Sequence, residues 1–468
     1  MNPVAAAETR APVAKPIPKL RVALALSAMV LGSLLSVATR SGTITTPVSG
    51  DARSSAAAVT APAARLSDEG ATQSAIRFYL ARVQRDPEDT RSQNALAELY
   101  LQEVRESGNE DYLPLAFGAA RASLAAVGPE RNVGGLTALA HCEFSNHDFA
   151  AARDHAIDLI AINPGKSEPY AILGDAQLEL GDYNAAAQAF AEMQRLSPEN
   201  SGTETRLARA AFLHGKTEEA TAHLSGALSL LSSQPEPPAQ ALAWCRWQLG
   251  ETAFSTGDYP TAERFYRDAL TAAPDYFRAL AGLGRISAAR GDLAGAITFY
   301  EQAVRIAPAT DFMAALGDLY SLAGRTADAA VRYELVEQLG EHSRKVHNST
   351  FNRNLAIFYA DHDLKPEEAY TLAQGEYSAG RHDVYGADAL AWTALKSGRI
   401  AEAQTVMKEA LRLGTLDARL FYHAGMIARA AGEKPEAIGY LKRTLAQNPH
   451  FDPLQSKIAR KVLEDLTR

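Results

Sequence analysis

Between Tyr170 and Pro198 apolar residues fall at helical spacing on two successive stretches, separated by Gly181-Asp182-Tyr183. Leu173 and Gly174 set a large apolar side chain beside a small one, which lets two helices approach closely. Gly181 suits the left-handed conformation that ends a helix, and Asp182 can cap the start of the next. Ala186 and Phe190 share one face of the second helix, and Pro198 prevents its continuation. The pattern predicts a helical hairpin.

The hairpin repeats. Gly181 and Gly215, Gly257 and Gly291, and Gly398 and Gly432 are each 34 residues apart. Ala152, Ala186 and Ala220 keep the same step, as do Pro164 with Pro198 and Pro274 with Pro308. Further copies read Gly250…Gly257-Asp258-Tyr259…Ala262…Tyr266, Leu283-Gly284…Gly291-Asp292…Ala296…Tyr300, and Gly425…Gly432…Ala437…Leu441. On these residues the chain resembles the tetratricopeptide repeat family over roughly 66–451, in particular its bacterial exported or membrane-anchored members.

The resemblance implies an all-α, right-handed superhelical solenoid of ten to eleven hairpins. Within it we delimit divergent hairpins at 66–132, repeats at 133–242, 243–348 and 349–451, and a capping helix at 452–468 with a charged face. The lattice predicts three insertions: in a loop around Glu103–Tyr112, at the Pro-rich 232–240, and across GEHSRKVHNST and Lys365-Pro366.

Residues 22–39 carry no charge and follow Lys15, Lys19 and Arg21. With a basic flank, an apolar stretch and small residues at Ser36-Val37-Ala38, residues 1–40 read as an export signal or a retained signal-anchor. The Ser/Thr/Ala/Pro-rich 41–65 reads as a flexible tether. The expected location is the periplasm or cell envelope, with membrane contact only through 22–39.

Composition agrees with a folded helical chain: 47% of residues are hydrophobic and 22% charged, with Ala and Leu dominating the apolar set. Net charge is −8, and Arg10, Lys15, Lys19, Arg21 and Arg40 against Glu8 leave −12 on residues beyond 40. An acidic body is a poor match for a phosphate backbone, so nucleic acid is not an expected partner. Cys142 and Cys245 fall in different repeats and read as buried free thiols.

No phosphate-binding loop, zinc-protease motif, paired Cys-x-x-Cys or nucleophile elbow is present, and no cofactor is expected. His141, His147 and His155, with Cys142 and Asp148, form the one grouping whose residue types could hold a metal and support an enzymatic alternative.

In arrays of this kind first helices line the concave side. That places Phe144, Asp175, Arg209, Trp244, Trp247, Phe254, Arg278, Arg285, Arg353, Tyr385, Trp392, Tyr422 and Arg429 in a groove, where aromatic and Arg side chains serve as binding anchors. The pairs Thr205/Arg209, Trp247/Glu251 and Ala281/Arg285 depart from the Lys/Asn clamp that grips chaperone tails. The expected function is a non-catalytic scaffold holding a protein or peptide. The alternative is a subunit of a polysaccharide-export or secretion machinery, with Trp244 and Trp247 stacking on a glycan.

Overall fold

The computed structural model of the chain describes residues 68–347 and 352–468. The expected export signal and tether, including the apolar stretch 22–39, lie outside the described residues. The described residues form one compact unit. Among the described residues there are 22 helices and no strands, and no helix is long and apolar enough to cross a membrane.

A lone helix, α1 (Asp68–Arg85), precedes ten hairpins. The first five are α2 (Thr90–Ser107) with α3 (Tyr112–Ala126), α4 (Val133–Ser145) with α5 (Phe149–Ile162), α6 (Ser167–Leu180) with α7 (Tyr183–Leu196), α8 (Ser201–Leu213) with α9 (Thr217–Ser232), and α10 (Ala239–Ser255) with α11 (Tyr259–Ala272). Then follow α12 (Phe277–Ala289) with α13 (Leu293–Ile306), α14 (Thr310–Leu322) with α15 (Thr326–His347), and α16 (Arg353–Asp361) with α17 (Pro366–Ser378). The last two are α18 (Val384–Lys396) with α19 (Ile400–Ala410) and α20 (Ala418–Ala430) with α21 (Lys434–Gln447), and α22 (Gln455–Thr467) closes the array.

Local chemistry accounts for the hairpins. Gly181 has φ +81° and ends α6, while the Asp182 carboxylate accepts the Ala185 N–H and caps α7. Asp258 and Asp292 cap α11 and α13 in the same way. The large-beside-small pattern works across each hairpin: Gly174 faces the Phe190 ring, Gly250 faces Tyr266, Gly284 faces Tyr300 and Gly317 faces Tyr333. A Cβ at any of these glycines would sit inside van der Waals contact with the ring. Tyr266 is gripped from two repeats, since Gly282 presses on it from the next first helix.

The insertions are placed differently from the expectation. Residues 233–238 do form a loop, but α2 stays helical to Ser107, so only 108–111 leave the helix. Gly340–His347 extend α15 to 22 residues, because nothing in that sequence breaks an existing helix. At the third position Asp363 (φ +54°) and Lys365 (φ +41°) turn the chain ahead of Pro366, the first residue of α17.

The array also coils back on itself, so that the turn inside one hairpin meets the loop that follows five hairpins later. The Arg381 guanidinium donates to the Glu179 carbonyl at 3.1 Å and to its carboxylate at 2.7 Å. Thr415 Oγ1 donates to the Leu213 carbonyl. Asn448 Nδ2 donates to the Phe254 carbonyl at 2.7 Å, while its Oδ1 accepts from the Tyr259 hydroxyl at 2.6 Å. Leu178, Tyr183, Phe190 and Leu213 share one apolar cluster with Val384, Leu390 and Leu420. Gly181 lies so close to the His382 carbonyl that no side chain fits between them.

Two outcomes test this architecture. Gly282→Ala forces a methyl against Tyr266 and is expected to cost about 1–3 kcal/mol, read as a lower midpoint in urea unfolding. Thr415→Val with Asn448→Ala removes three of the bonds between coils. We expect a larger radius of gyration by small-angle scattering with helical circular dichroism unchanged; an unchanged radius would contradict a coil held by these loops.

Candidate functional site

Inside the coil, successive first helices face one another across two adjoining cavities. The larger has a volume of about 740 Å³. Trp247 and Glu251 of α10, Arg278 and Arg285 of α12, and Asp311, Phe312 and Asp318 of α14 form one wall. Arg419 of α20, Phe451 and Asp452 of the connecting loop, and Lys457 and Arg460 of α22 form the other. The second cavity, about 460 Å³, continues past Arg209, Phe254 and Tyr385. The two share Trp247, Glu251, Arg285, Arg419 and Phe451, so they form one path.

Most charges on the wall are held by neighbouring repeats. Glu251 pairs with Arg285, and the Tyr266 hydroxyl donates to Glu251 at 2.8 Å. The ring wedged between Gly250 and Gly282 therefore fixes a cavity ion pair. Arg209 pairs with Glu179, and the Tyr385 hydroxyl donates to Asp417 at 3.3 Å. Arg278 lies over the rings of Phe277 and Trp247, at 4.5 and 5.7 Å. Asp318 accepts from Tyr333 at 2.8 Å and lies 2.7 Å from His362 Nε2. Burial, the largest single influence, acts to lower the His362 pKa, but the hydrogen bond to Asp318 and its charge, with the Phe358 carbonyl and Asp361, together outweigh it and raise the value above its ordinary one.

Of the residues expected in a groove, Trp247, Arg209, Phe254, Arg278, Arg285 and Tyr385 line this path. Trp392 and Tyr422 do not. They are 0% and 1% exposed, because their first helices α18 and α20 turn these rings onto each other and toward α22. Trp392 stacks on His423 at 4.2 Å and donates to Asp361, while the Tyr422 hydroxyl donates to Gln455. Trp244 is half-buried against Leu224, Leu228 and Leu249, filling the space between repeats. Phe254 is almost wholly buried, with the Arg285 guanidinium 4.5 Å from its ring centre.

The remaining groove candidates serve the scaffold or lie elsewhere. Arg353 joins Glu376 and Asp383 beside Arg381 where the coils meet. Asp175 pairs with Arg206, and Phe144 packs edge-on against Phe149. Arg429 is exposed and lines neither cavity.

The histidine group does not converge. His141 Nδ1 lies 2.8 Å from Glu98, and His155 Nδ1 lies 2.6 Å from Glu143. His147 sits in the turn with its ring against Phe149. No group of three His, Cys, Asp or Glu among the described residues is placed to hold a metal ion. Cys142 and Cys245 are free and buried, and burial pushes their thiols up to about 12 and about 11.

Sequence reading misses Asp311, Asp318, Arg419, Phe451, Lys457 and Arg460. The first three lie on first helices, within reach of the same counting. The α22 pair belongs to the charged face that the sequence assigns to a solvent-facing cap.

A sequence profile described as tetratricopeptide repeat matches residues 137–201, 248–310 and 389–450, and a second of that description matches 201–275. The chain belongs to the tetratricopeptide repeat family. No curated protein matches it in sequence. Among solved structures it is similar to PilW, a widely conserved type IV pilus biogenesis factor, at 20% identity, 42% of this chain, 89% of that one and a TM-score of 0.36. It is also similar to MamA at 19% identity, 36% of this chain, 93% of that one and a TM-score of 0.29. A thermophilic repeat protein of Thermus thermophilus gives 19% identity, 45% and 99% coverage, and a TM-score of 0.34. Tetratricopeptide repeats are typically non-enzymatic scaffolds for protein–protein interaction, which supports a protein or peptide partner for this chain.

The site chemistry predicts two measurements. The His362 ring should titrate above about 6.5, and Asp318→Asn should lower it, since burial is then opposed only by the Phe358 carbonyl and Asp361; nuclear magnetic resonance titration reads both. Because the native value is raised, His362 contributes stability below about pH 6.5 that is lost as pH rises through its folded value. Both cysteines should react with a thiol reagent in native buffer at least tenfold more slowly than in denaturant.

Proposed function

We propose that this protein is a non-catalytic scaffold, exported to the cell envelope, that holds a protein or peptide partner along the path inside its coil. The observation that carries the reading is the convergence of Trp247, Arg278 and Arg285, from two successive first helices, on the larger cavity. Large aromatic and guanidinium side chains bring much contact area with a polar handle, and a wall built on packed helices holds them ready. Export rests on the basic flank and uncharged stretch at 22–39.

Glycan stacking receives less support from the geometry. A sugar platform needs both Trp faces, whereas Trp244 is packed between repeats and Arg278 lies over Trp247.

A photo-crosslinking residue at position 247 should capture a protein partner in the cells that make this chain, and the same residue at exposed Ile157 on α5 should not. Equal capture from both positions, or none from 247, would overturn binding inside the coil. Fractionation with N-terminal sequencing tests export: a soluble cytoplasmic chain with an intact N-terminus would sink it.

A further inference from the structure

The larger cavity carries an unbalanced set of charges once internal pairs are removed. Glu251 is committed to Arg285 and Tyr266. Asp318 is committed to His362 and Tyr333. Asp452 accepts the backbone N–H groups of Leu454 and Gln455 at 2.8 Å each and lies 3.7 Å from Arg419. Among the acids of the wall only Asp311 lacks a side-chain partner; it sits in the first turn of α14 and accepts a backbone N–H there.

Three cations remain, and they come from opposite walls. Arg278 rests on the Phe277 and Trp247 rings, beside the Tyr276 hydroxyl, and feels the Asp311 carboxylate without forming an ion pair with it. The Arg460 guanidinium donates to the neutral Pro449 carbonyl. Lys457 is exposed toward the cavity. Among the described residues none of the three lies within ion-pair distance of a carboxylate. This is a local positive surplus inside a chain of net charge −8. Trp247, Phe312 and Phe451 supply apolar surface between the charges.

We infer that the two coils together form one composite site for an extended acidic polypeptide, with Arg278 on the first coil and Lys457 and Arg460 on the second meeting its carboxylates. The inference rests on the proposed binding role and names the chemistry of the partner. An extended segment suits the path because the two cavities run along α8, α10, α12 and α14 rather than closing into one compact pocket. Walls of low polarizability strengthen attraction to a carboxylate that enters between them. The second wall is α22, so a site that a single coil would leave as an open basic edge becomes two-sided.

The test uses the full chain carrying Trp244→Phe, which leaves Trp247 as the cavity-facing tryptophan; Trp392 is fully buried. Its fluorescence is followed on titration with a twelve-residue polyglutamate peptide and, separately, with polylysine of the same length. We expect saturable binding of polyglutamate that weakens as salt is raised, and no saturable binding of polylysine. Lys457→Glu with Arg460→Glu should weaken polyglutamate at least tenfold. Arg278→Gln should do the same from the other wall, and Lys408→Glu on the exposed face of α19 should change nothing. Lys457→Glu alone, which breaks no bond of the fold, should weaken binding in the same direction. Circular dichroism melts check that each variant is folded.

Polylysine binding as tightly as polyglutamate, or affinity indifferent to the α22 charges, would overturn the inference. The two readings fail separately. Capture of a partner from position 247 without polyglutamate binding sinks the acidic site and leaves the scaffold. Polyglutamate binding that depends on α22, with no partner captured, does the reverse.

Discussion

An α-helix leaves the carbonyls of its last turn without partners inside the helix. In a hairpin array these groups lie at the turns, and in an open solenoid water satisfies them. Here the last-turn carbonyls Glu179, Leu213 and Phe254 of α6, α8 and α10 accept from Arg381, Thr415 and Asn448 of the following coil. The donors recur at nearly the repeat spacing, so one contact is made three times along a seam. Everything inside the coil depends on it. Without the seam α20 and α22 would not stand opposite α10, α12 and α14, and the cavities would be a one-walled groove.

The seam also changes how stability is distributed. A simple repeat array is nearly one-dimensional, each unit depending on its neighbours. Contacts across about two hundred residues, such as Arg381 with Glu179, couple distant hairpins and make loss of one coil felt in the other. Within the hairpins the ring-on-glycine packing does a second job. Tyr266 is clamped by Gly250 and Gly282, and its hydroxyl then orders Glu251 and Arg285 on the cavity wall.

The hairpins were legible because their determinants are local. The Gly181-Asp182 turn, the Gly174 and Phe190 pair and the 34-residue step each act within one unit, and each has the structural role its chemistry suggests. The concave wall was half legible. Counting along first helices finds Trp247, Arg278 and Arg285, but it also selects Trp392 and Tyr422, whose burial is decided by the neighbouring helices. The seam was invisible, since nothing in Asn448 or Thr415 announces a partner about two hundred residues earlier. Net charge says nothing of local arrangement: within an acidic chain the cations Arg278, Lys457 and Arg460 line one cavity without an ion-pair partner.

Open arrays gain and lose repeats freely, because a unit removed from the middle lets its neighbours close ranks. This coil has no such freedom between α6 and α20. Deleting one hairpin there would bring a different loop against Glu179 and slide every later donor one unit out of step with its carbonyl. Repeat number is therefore fixed by registration between coils. A duplication in this stretch should be read as a change of geometry and not as a mere lengthening.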